Sequence, residues 1–464
     1  MGCGLFAAPT EKATVASFPD VEADRFVLDH ERAALDLNRH NNSLRTSGLF
    51  PGMEPLRVRA LALAEQPDRT ELGVLPWVAW NNYDKTTLGL LLYNPPFPPR
   101  RFQYFLFPGY GFGSGHFTGL ADVRYRFLPG GTVPKMVAGF SARTATYDHN
   151  LVDDYRLRFY RLVPSVRISL RSASPAFEHD VTLRTLFIGK EEAEFDLFGD
   201  YSKKKWQHAT IYEARYEARR HGLPNPYRLV ASLEGQGYDT PFARKAYYLR
   251  GSLEWKQQFY YQPGRSVSAR FFAGYFLANT QRRRGGVATN NLFGDVARAS
   301  FALNPQGFND YRFDQVFFGR SDDEGLFSRQ VSQTEGGFKT AFGAPYAQVL
   351  GNSNNFIVAL NLRADLPGRL PLDLPLKPYF DIGYFDDATP LGAGRPLEQR
   401  LLWSGGFLLE FFKGSIEFYF PVVSAKPLSD LYAEASGGNY LRRISWSIRL
   451  GRVGPLDVVR QLRD

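Results

Sequence analysis

From residue 72 onward the chain alternates apolar and polar residues with period two, in one segment after another. FTGLADVRYRF sets Phe117, Ala121, Val123, Tyr125 and Phe127 against Asp122, Arg124 and Arg126. IYEARYEARR sets Tyr212, Ala214, Tyr216 and Ala218 against Glu213, Arg215, Glu217 and Arg219. YLRGSLEWK sets Leu249, Leu253 and Trp255 against Arg250, Ser252, Glu254 and Lys256, and FIVALNLRAD sets Phe356, Val358, Leu360 and Leu362 against Asn361, Arg363 and Asp365. Near the C-terminus, LRRISWSIRLG sets Ile444, Trp446 and Ile448 against Ser445, Ser447 and Arg449. Successive side chains of a strand point to opposite faces, so each of these segments has one greasy face and one wet face. Glu and Arg are good helix formers, but strict alternation of aromatic with charged residues reads IYEARYEARR as a strand.

Two architectures accept such strands. A soluble sheet packs the greasy face inward, whereas a membrane barrel turns it to lipid and lines a lumen with the wet face. The wet faces here carry charges of both signs: Arg124 and Arg126; Arg215, Glu217 and Arg219; Arg250, Glu254 and Lys256. Such rows pair across neighbouring strands but are costly in a dry core. The periodic segments number about sixteen, with the length of about ten residues that a tilted membrane strand needs. They fall at 72–81, 86–94, 101–110, 116–127, 135–147, 155–171, 179–189, 208–220, 226–237, 244–259, 266–278, 355–365, 377–385, 400–411, 414–422 and 440–451. Connections after even-numbered segments are mostly short (PGGTV, SASPA, HGLPN, QPGR, FKG), and the long ones (KEEAEFDLFGDYSKKK, residues 279–354, PVVSAKPLSDLYAEASGGN) follow odd-numbered segments. Short turns on one rim and long loops on the other are the arrangement of outer-membrane barrels. NNYDK and ADLPGRLPLDLPL break this sorting.

The expected fold is therefore all-β: a transmembrane antiparallel up-and-down barrel at residues 71–464, preceded by a periplasmic lead-in at 1–70 with a short helix near 30–37. By the same alternation the Trp446 face is expected to meet lipid and the Arg449 face the lumen. A soluble all-β binding module is the competing architecture.

The rest of the composition fits. No run of 18 apolar residues is present, as a membrane helix would require. The balance of 56 Lys and Arg against 47 Asp and Glu, net +9, suits contact with anionic outer-membrane lipid and lipopolysaccharide without calling for nucleic acid. The single Cys3 excludes a disulfide framework within the chain. The start, MGCGLFAAPTEK, lacks a basic n-region and a long apolar core, so either the chain is a mature or truncated form or the barrel reading fails.

Catalytic and metal motifs are scarce. Among the seven His, only His30-Glu31 begins an HExxH pattern, and Ala34 stands where its second His belongs. His149 lies near Asp148, Asp153 and Asp154 in an expected outer loop, where a solvated polar loop is the simpler reading than a metal site. GYGFGSG (109–115) joins two strands and reads as a hairpin turn, and QRRRGG (281–286) reads as a solvated basic loop facing lipopolysaccharide phosphates. No cofactor and no metal are expected. The lumen-facing charged candidates are Arg124, Arg126, Arg215, Glu217, Arg219, Arg250, Glu254, Lys256, Arg363 and Arg449. The longest connection contains YRFDQVFFGRSDDEGLFSRQVSQTEGGFKTAF (311–342), which mixes aromatics, charges and glycines and is expected to plug or cap the lumen through Arg320, Asp322, Asp323, Glu324 and Arg329.

LDLNRHNNSLRTSGLFPG (35–52), WVAWNNYDKTTLGLLLYN (77–94), FLFPGYGFGSGHFTGLADVRYRF, FFGRSDDEGLFSRQ with GGFK, and FLLEFFKGSIEFYFPVV together resemble the C-terminal outer-membrane barrel region of Bacteroidota proteins built as M1-family metallopeptidases. The resemblance runs from about residue 25 to the end, with NNYDK and the LG and YN after it the most specific part. It implies location and architecture, since the HExxH of the peptidase domain is absent and no catalytic residue carries over. The expected function is that of a non-catalytic outer-membrane barrel that anchors or docks a periplasmic peptidase, or passes peptides or small solutes through a charged lumen. The alternative is the barrel part of a split or truncated zinc aminopeptidase.

Overall fold

A computed structural model describes residues 23–31, 33, 42–47, 56–62, 70–97, 100–196, 198, 200–222, 225–238, 245–280, 300–341, 350–367, 375–386 and 400–449. The chain divides into two compact units, Met1–Val74 with Asn94–Pro98, and Leu75–Tyr93 with Pro99–Asp464.

In the first unit, β1 (Arg25–Val27) pairs antiparallel with β2 (Ser43–Arg45). β3 (Leu56–Arg59) lies parallel to the first residues of β4 (Thr70–Asn81), and the buried Glu71 accepts a hydrogen bond from Arg59 Nη1 at 3.0 Å. A strand here was not expected from the sequence. His30 and Glu31 lie in a turn and Ala33 has no regular structure, and the other residues of the expected helix, 32 and 34–37, are outside the described residues.

The second unit is built by β5 (Lys85–Tyr93), β6 (Phe102–Gly111), β7 (His116–Phe127), β8 (Lys135–Asn150), β9 (Tyr155–Leu170), β10 (Phe177–Phe195), β11 (Tyr201–Arg220), β12 (Tyr227–Tyr238), β13 (Ala246–Gln262) and β14 (Arg265–Asn279). Two-residue strands β15 (Phe301–Ala302) and β16 (Asn352–Ser353) pair with each other, and α1 (Gly325–Ser328) lies between them in sequence. Then follow β17 (Phe356–Ala364), β18 (Leu376–Phe385), β19 (Leu401–Phe411), β20 (Ile416–Ser424), α2 (Lys426–Ser436) and β21 (Ser445–Ile448). One closed sheet takes β4 to β14 and β17 to β21 in chain order, with the short β3 standing between β21 and β4. These are the sixteen expected strands, and β3 adds a short seventeenth.

The period of two explains the closure. Outward positions such as Phe117, Tyr212, Leu253, Trp255 and Val358 form an exposed apolar belt, while Glu213, Glu217, Glu234 and Arg250 on the inner face are buried. Closure removes the free edge that an open sheet would present to lipid, where no water satisfies backbone groups. The chain is a transmembrane β-barrel of the outer-membrane type.

Three local expectations are corrected. The long loop expected at 190–205 is a continuation of the β10–β11 ladder, with Glu192 opposite Lys205 and Glu194 opposite Lys203. Opposite charges facing across a ladder favour pairing, so the hairpin continues where composition suggests a loop. The connection after β20 contains α2, which has a Pro in its first turn and ends on Gly437 in the left-handed region (φ 56°). Its buried Leu428 and Tyr432, four residues apart, pack on a core that includes Phe385 and Leu402. The last expected strand begins at Ser445, because residues Tyr440–Arg443 form a 3-10 turn capped by Asn439, whose side chain accepts from Leu441 N.

Trp446 is likewise corrected. It is only 6% exposed, its Nε1 donates to Leu326 O at 2.7 Å, and the rings of Phe318 and Phe327 lie against it. By register it lies on the face of β21 opposite to Ser445 and Ser447, as the alternation requires, and Phe318, Leu326 and Phe327 of the long connection cover it instead of lipid. Gln330 pairs with Trp446 as an isolated parallel bridge.

Candidate functional site

The long connection between β14 and β17 folds into the barrel, where residues 300–341 bond to side chains from most of the wall. At the outer rim, the turn after β4 carries Asn82, Tyr83 and Asp84. Asp84 is fully buried and takes hydrogen bonds from Asn81 Nδ2 (2.7 Å), Ser114 Oγ (2.6 Å) and Thr146 N (3.1 Å), which ties this turn to the β6–β7 turn and to β8. Asn82 Nδ2 and the Tyr83 hydroxyl reach Asp322 of the plug at 2.8 and 2.7 Å, and Ser321 N donates to the Tyr83 hydroxyl at 2.7 Å. Burial and the Asp322 carboxylate push the Tyr83 hydroxyl well above its usual range, so it stays a donor. NNYDK, noted in the sequence for its resemblance and as a short turn on the long-loop rim, is thus the clasp for the plug tip.

At mid-depth the contacts are ionic. Arg184 Nη2 stands 2.8 Å from both Glu213 and Asp314, and Arg161 also pairs with Asp314. Arg312 Nη1 donates to Glu213 at 3.1 Å and Glu234 at 2.8 Å, and the Tyr311 hydroxyl donates to Glu234 as well. Arg250 pairs with Glu234 at 3.0 Å and Glu335 at 3.4 Å, and its guanidinium lies 4.6 Å from the centre of the Phe301 ring. The wall partners are placed by register: Arg184 stands opposite Glu213, and Glu234 opposite Arg250. Burial pushes the Asp314 carboxyl up, but Arg184, Arg161 and Arg312 outweigh it and hold it well below the usual carboxylate range. Burial pushes Glu335 up, against Arg250 and Arg312. Nearer the short-turn rim, Lys339 Nζ pairs with Asp381 at 2.6 Å, Asn361 Nδ2 donates to Asp381 at 3.0 Å, and Gln333 donates to Glu417 and Tyr419.

Below these contacts, toward the short turns, is a cavity of about 330 Å³. Its lining holds Arg219, Arg220, Arg228, Lys256, Arg270, Lys339, Arg363 and Arg449 and no Asp or Glu. The carboxylates stand behind: Glu217 is shared by Arg215 (3.1 Å), Arg219 (2.6 Å) and Arg228, and Glu254 by Arg228 (3.0 Å), Lys256 (3.1 Å) and Arg270 (2.9 Å). Glu417 is shared by Arg363 (3.3 Å) and Arg449.

Of the residues singled out in the sequence, Arg215, Glu217, Arg219, Glu254, Lys256, Arg363 and Arg449 come together at this chamber, and Arg250 joins the plug contacts above it. Arg124 and Arg126 on β7 join neither; Arg124 pairs with Asp122 on its own strand at 2.6 Å. In the plug, Asp322 is the clasped residue, whereas Arg320 is an internal brace that bonds Asp310 at 3.1 Å and Gln315 O at 2.7 Å and lies over the Phe313 ring. Arg329 holds Leu441 O at 2.5 Å, and Glu324 precedes α1. Asp323 is exposed, its carboxyl raised by partial burial and by Asp322 and Glu324. Sequence reasoning missed Arg161, Arg184, Arg228, Glu234, Arg270, Arg312, Asp314, Lys339, Asp381 and Glu417. The signal for the wall residues was present: each is a charge at an inward position of an alternating strand. His149 lies 3.4 Å from Asp154, and among the described residues no group of three or more His, Cys, Asp or Glu is placed to hold a metal ion. QRRRGG is outside the described residues.

No protein-family model matches the sequence, and no curated protein matches it. Among solved structures it is similar to BamA from Haemophilus ducreyi lacking POTRA domains 1–3, at 9% identity over 77% of this chain and 68% of that one, with a TM-score of 0.40. It is similar to CdiB from Acinetobacter baumannii at 9% identity over 77% and 57% (TM-score 0.36), and to CdiB from Escherichia coli at 12% identity over 84% and 66% (TM-score 0.38). The chain thus spans between 57% and 68% of the length of these three.

Proposed function

We propose that this barrel sits in the outer membrane and passes peptides or small solutes through its charged lumen under control of residues 300–341. The observation that carries the reading is how the plug is held at mid-depth. Arg312, Asp314 and Glu335 meet wall charges from β9 to β13, and ion pairs of this kind can be traded for water or for a charged cargo, which an apolar seal cannot do. No catalytic role is assigned to any residue of this chain.

Conductance in planar bilayers tests it. Intact protein is expected to be nearly silent, and a variant with residues 300–341 replaced by a Gly-Ser linker is expected to conduct. Both must first show the gel mobility shift on boiling that marks a closed barrel. A folded, plug-deleted barrel that neither conducts nor binds peptides would overturn the reading. The second reading, docking of a periplasmic peptidase at the short-turn rim or service as the barrel half of a split peptidase, is favoured by the resemblance of residues 35–52 and 77–94 to the metallopeptidase barrels. Co-purification of a peptidase carrying HExxH would support it.

A further inference from the structure

We infer that the chamber at the short-turn end of the lumen binds a small, multiply charged anion presenting phosphate or carboxylate oxygens. Register supplies the argument. Arg219 on β11 stands directly opposite Arg228 on β12, Arg228 opposite Lys256 on β13, and Lys256 opposite Arg270 on β14. Four adjacent strands therefore set a basic side chain at one level on the inner face. Like charges directly opposite one another destabilise a sheet, so folding alone gives no reason for such a row.

The local carboxylates do not balance it. Glu217 and Glu254 are the acids shared among these four cations, and Glu217 also serves Arg215. Across the chamber Arg363 and Arg449 share Glu417, with Glu410 at 3.7 Å from Arg363, and Lys339 roofs the space with its own partner Asp381. Eight basic side chains thus line the chamber, and five carboxylates among the described residues, Glu217, Glu254, Asp381, Glu410 and Glu417, pair with them. Arg449 Nε is buried with no partner among the described residues. Partly buried cations in excess are compensated by an anion, and guanidinium groups on opposite walls suit the planar or tetrahedral oxygens of carboxylate or phosphate. The volume, about 330 Å³, is at the small end of ligand pockets and admits a pyrophosphate-sized or tricarboxylate-sized molecule rather than a folded chain. The inference does not depend on passage: a sealed barrel with this chamber would bind the same anion.

The test is calorimetric titration of the full chain, in nanodiscs of phosphatidylcholine, with pyrophosphate and with citrate, against chloride at matched ionic strength. Saturable binding at one site is expected, with R228Q and K256Q each losing about tenfold in affinity, the scale of one charge-assisted hydrogen bond. R124Q, remote from the chamber, controls for a general loss of charge and is expected to bind as the parent does. Each variant is used only if it keeps the boiling mobility shift. Heats no larger than those of chloride, or equal affinity in parent, R228Q and K256Q, would overturn the site. Repeating the titration in phosphatidylglycerol nanodiscs assigns the source: unchanged binding identifies a free anion, and competition identifies a lipid headgroup, the oxyanion site standing in either case.

Discussion

The Tyr83 hydroxyl and the Asp322 carboxylate are 2.7 Å apart, and this bond joins the first outer turn of the barrel to a residue 239 positions later in the chain. The second oxygen of the same carboxylate accepts from Asn82 at 2.8 Å. Asp322→Ala removes both bonds and leaves a buried hydroxyl without its acceptor, a local loss of about 2 kcal/mol. Hydrogen exchange and protease nicking around residues 318–330 should rise while the boiling mobility shift persists. Unchanged exchange there would show that the clasp does not hold the plug tip.

Asp314 is held by Arg161 and Arg184 within the lumen, whereas Asp122 and Arg124 form a pair that is largely exposed. Removing one partner of a buried pair leaves an uncompensated charge, so Asp314→Asn is expected to cost about 3–5 kcal/mol. Asp122→Asn is expected to cost under about 1 kcal/mol. Urea unfolding followed by the gel shift gives both values, and equal costs would contradict the ionic account of the plug.

Acid should release the plug centre late. The folded-state value of Asp314 is depressed, so its stabilisation is complete above the ordinary Asp range, about 3.9, and is lost only as pH falls through the lower folded value. Exchange protection of residues 311–316 is therefore expected to be the same at pH 7 and pH 4.5 after correction for intrinsic rates. Loss of protection by pH 4.5 would place the controlling titration elsewhere.

The outward face makes a prediction about lipid. Leu253 is exposed on the apolar side of β13, and Leu253→Arg should cost about 2–4 kcal/mol if it lies near the bilayer midplane. Phe198, in the turn of the β10–β11 hairpin, is 89% exposed, and Phe198→Arg should leave refolding into lipid unchanged. The folded fraction of each variant on an unboiled gel separates the two positions.

The barrel was legible because lipid outside and charge inside impose a period of two on every strand, as Phe117 to Phe127 and Tyr212 to Arg219 show. The plug was legible only as a long, compositionally rich connection. Arg312 and Asp314 gain their meaning from Glu213, Glu234 and Arg184, all about 80 to 130 positions earlier, and no local pattern encodes such contacts. Trp446 fails for the same reason, since its alternation is correct but its cover of Phe318 and Phe327 comes from a distant segment. α2 is a different case: its Pro427 and the Gly437-Gly438 pair are local helix start and stop signals within a segment read only as a long connection.

The β10–β11 hairpin has one further consequence. Among the described residues β11 pairs with β12 only from Tyr212 onward, so Tyr201–Ile211 is bonded to β10 on one side alone. A bare ladder of this length would ordinarily recruit strands from neighbouring molecules. Lys203, Lys204 and Lys205 stand exposed along it, and each added strand would have to accept a row of ammonium groups at close range. The hairpin can therefore project from the barrel without seeding aggregation.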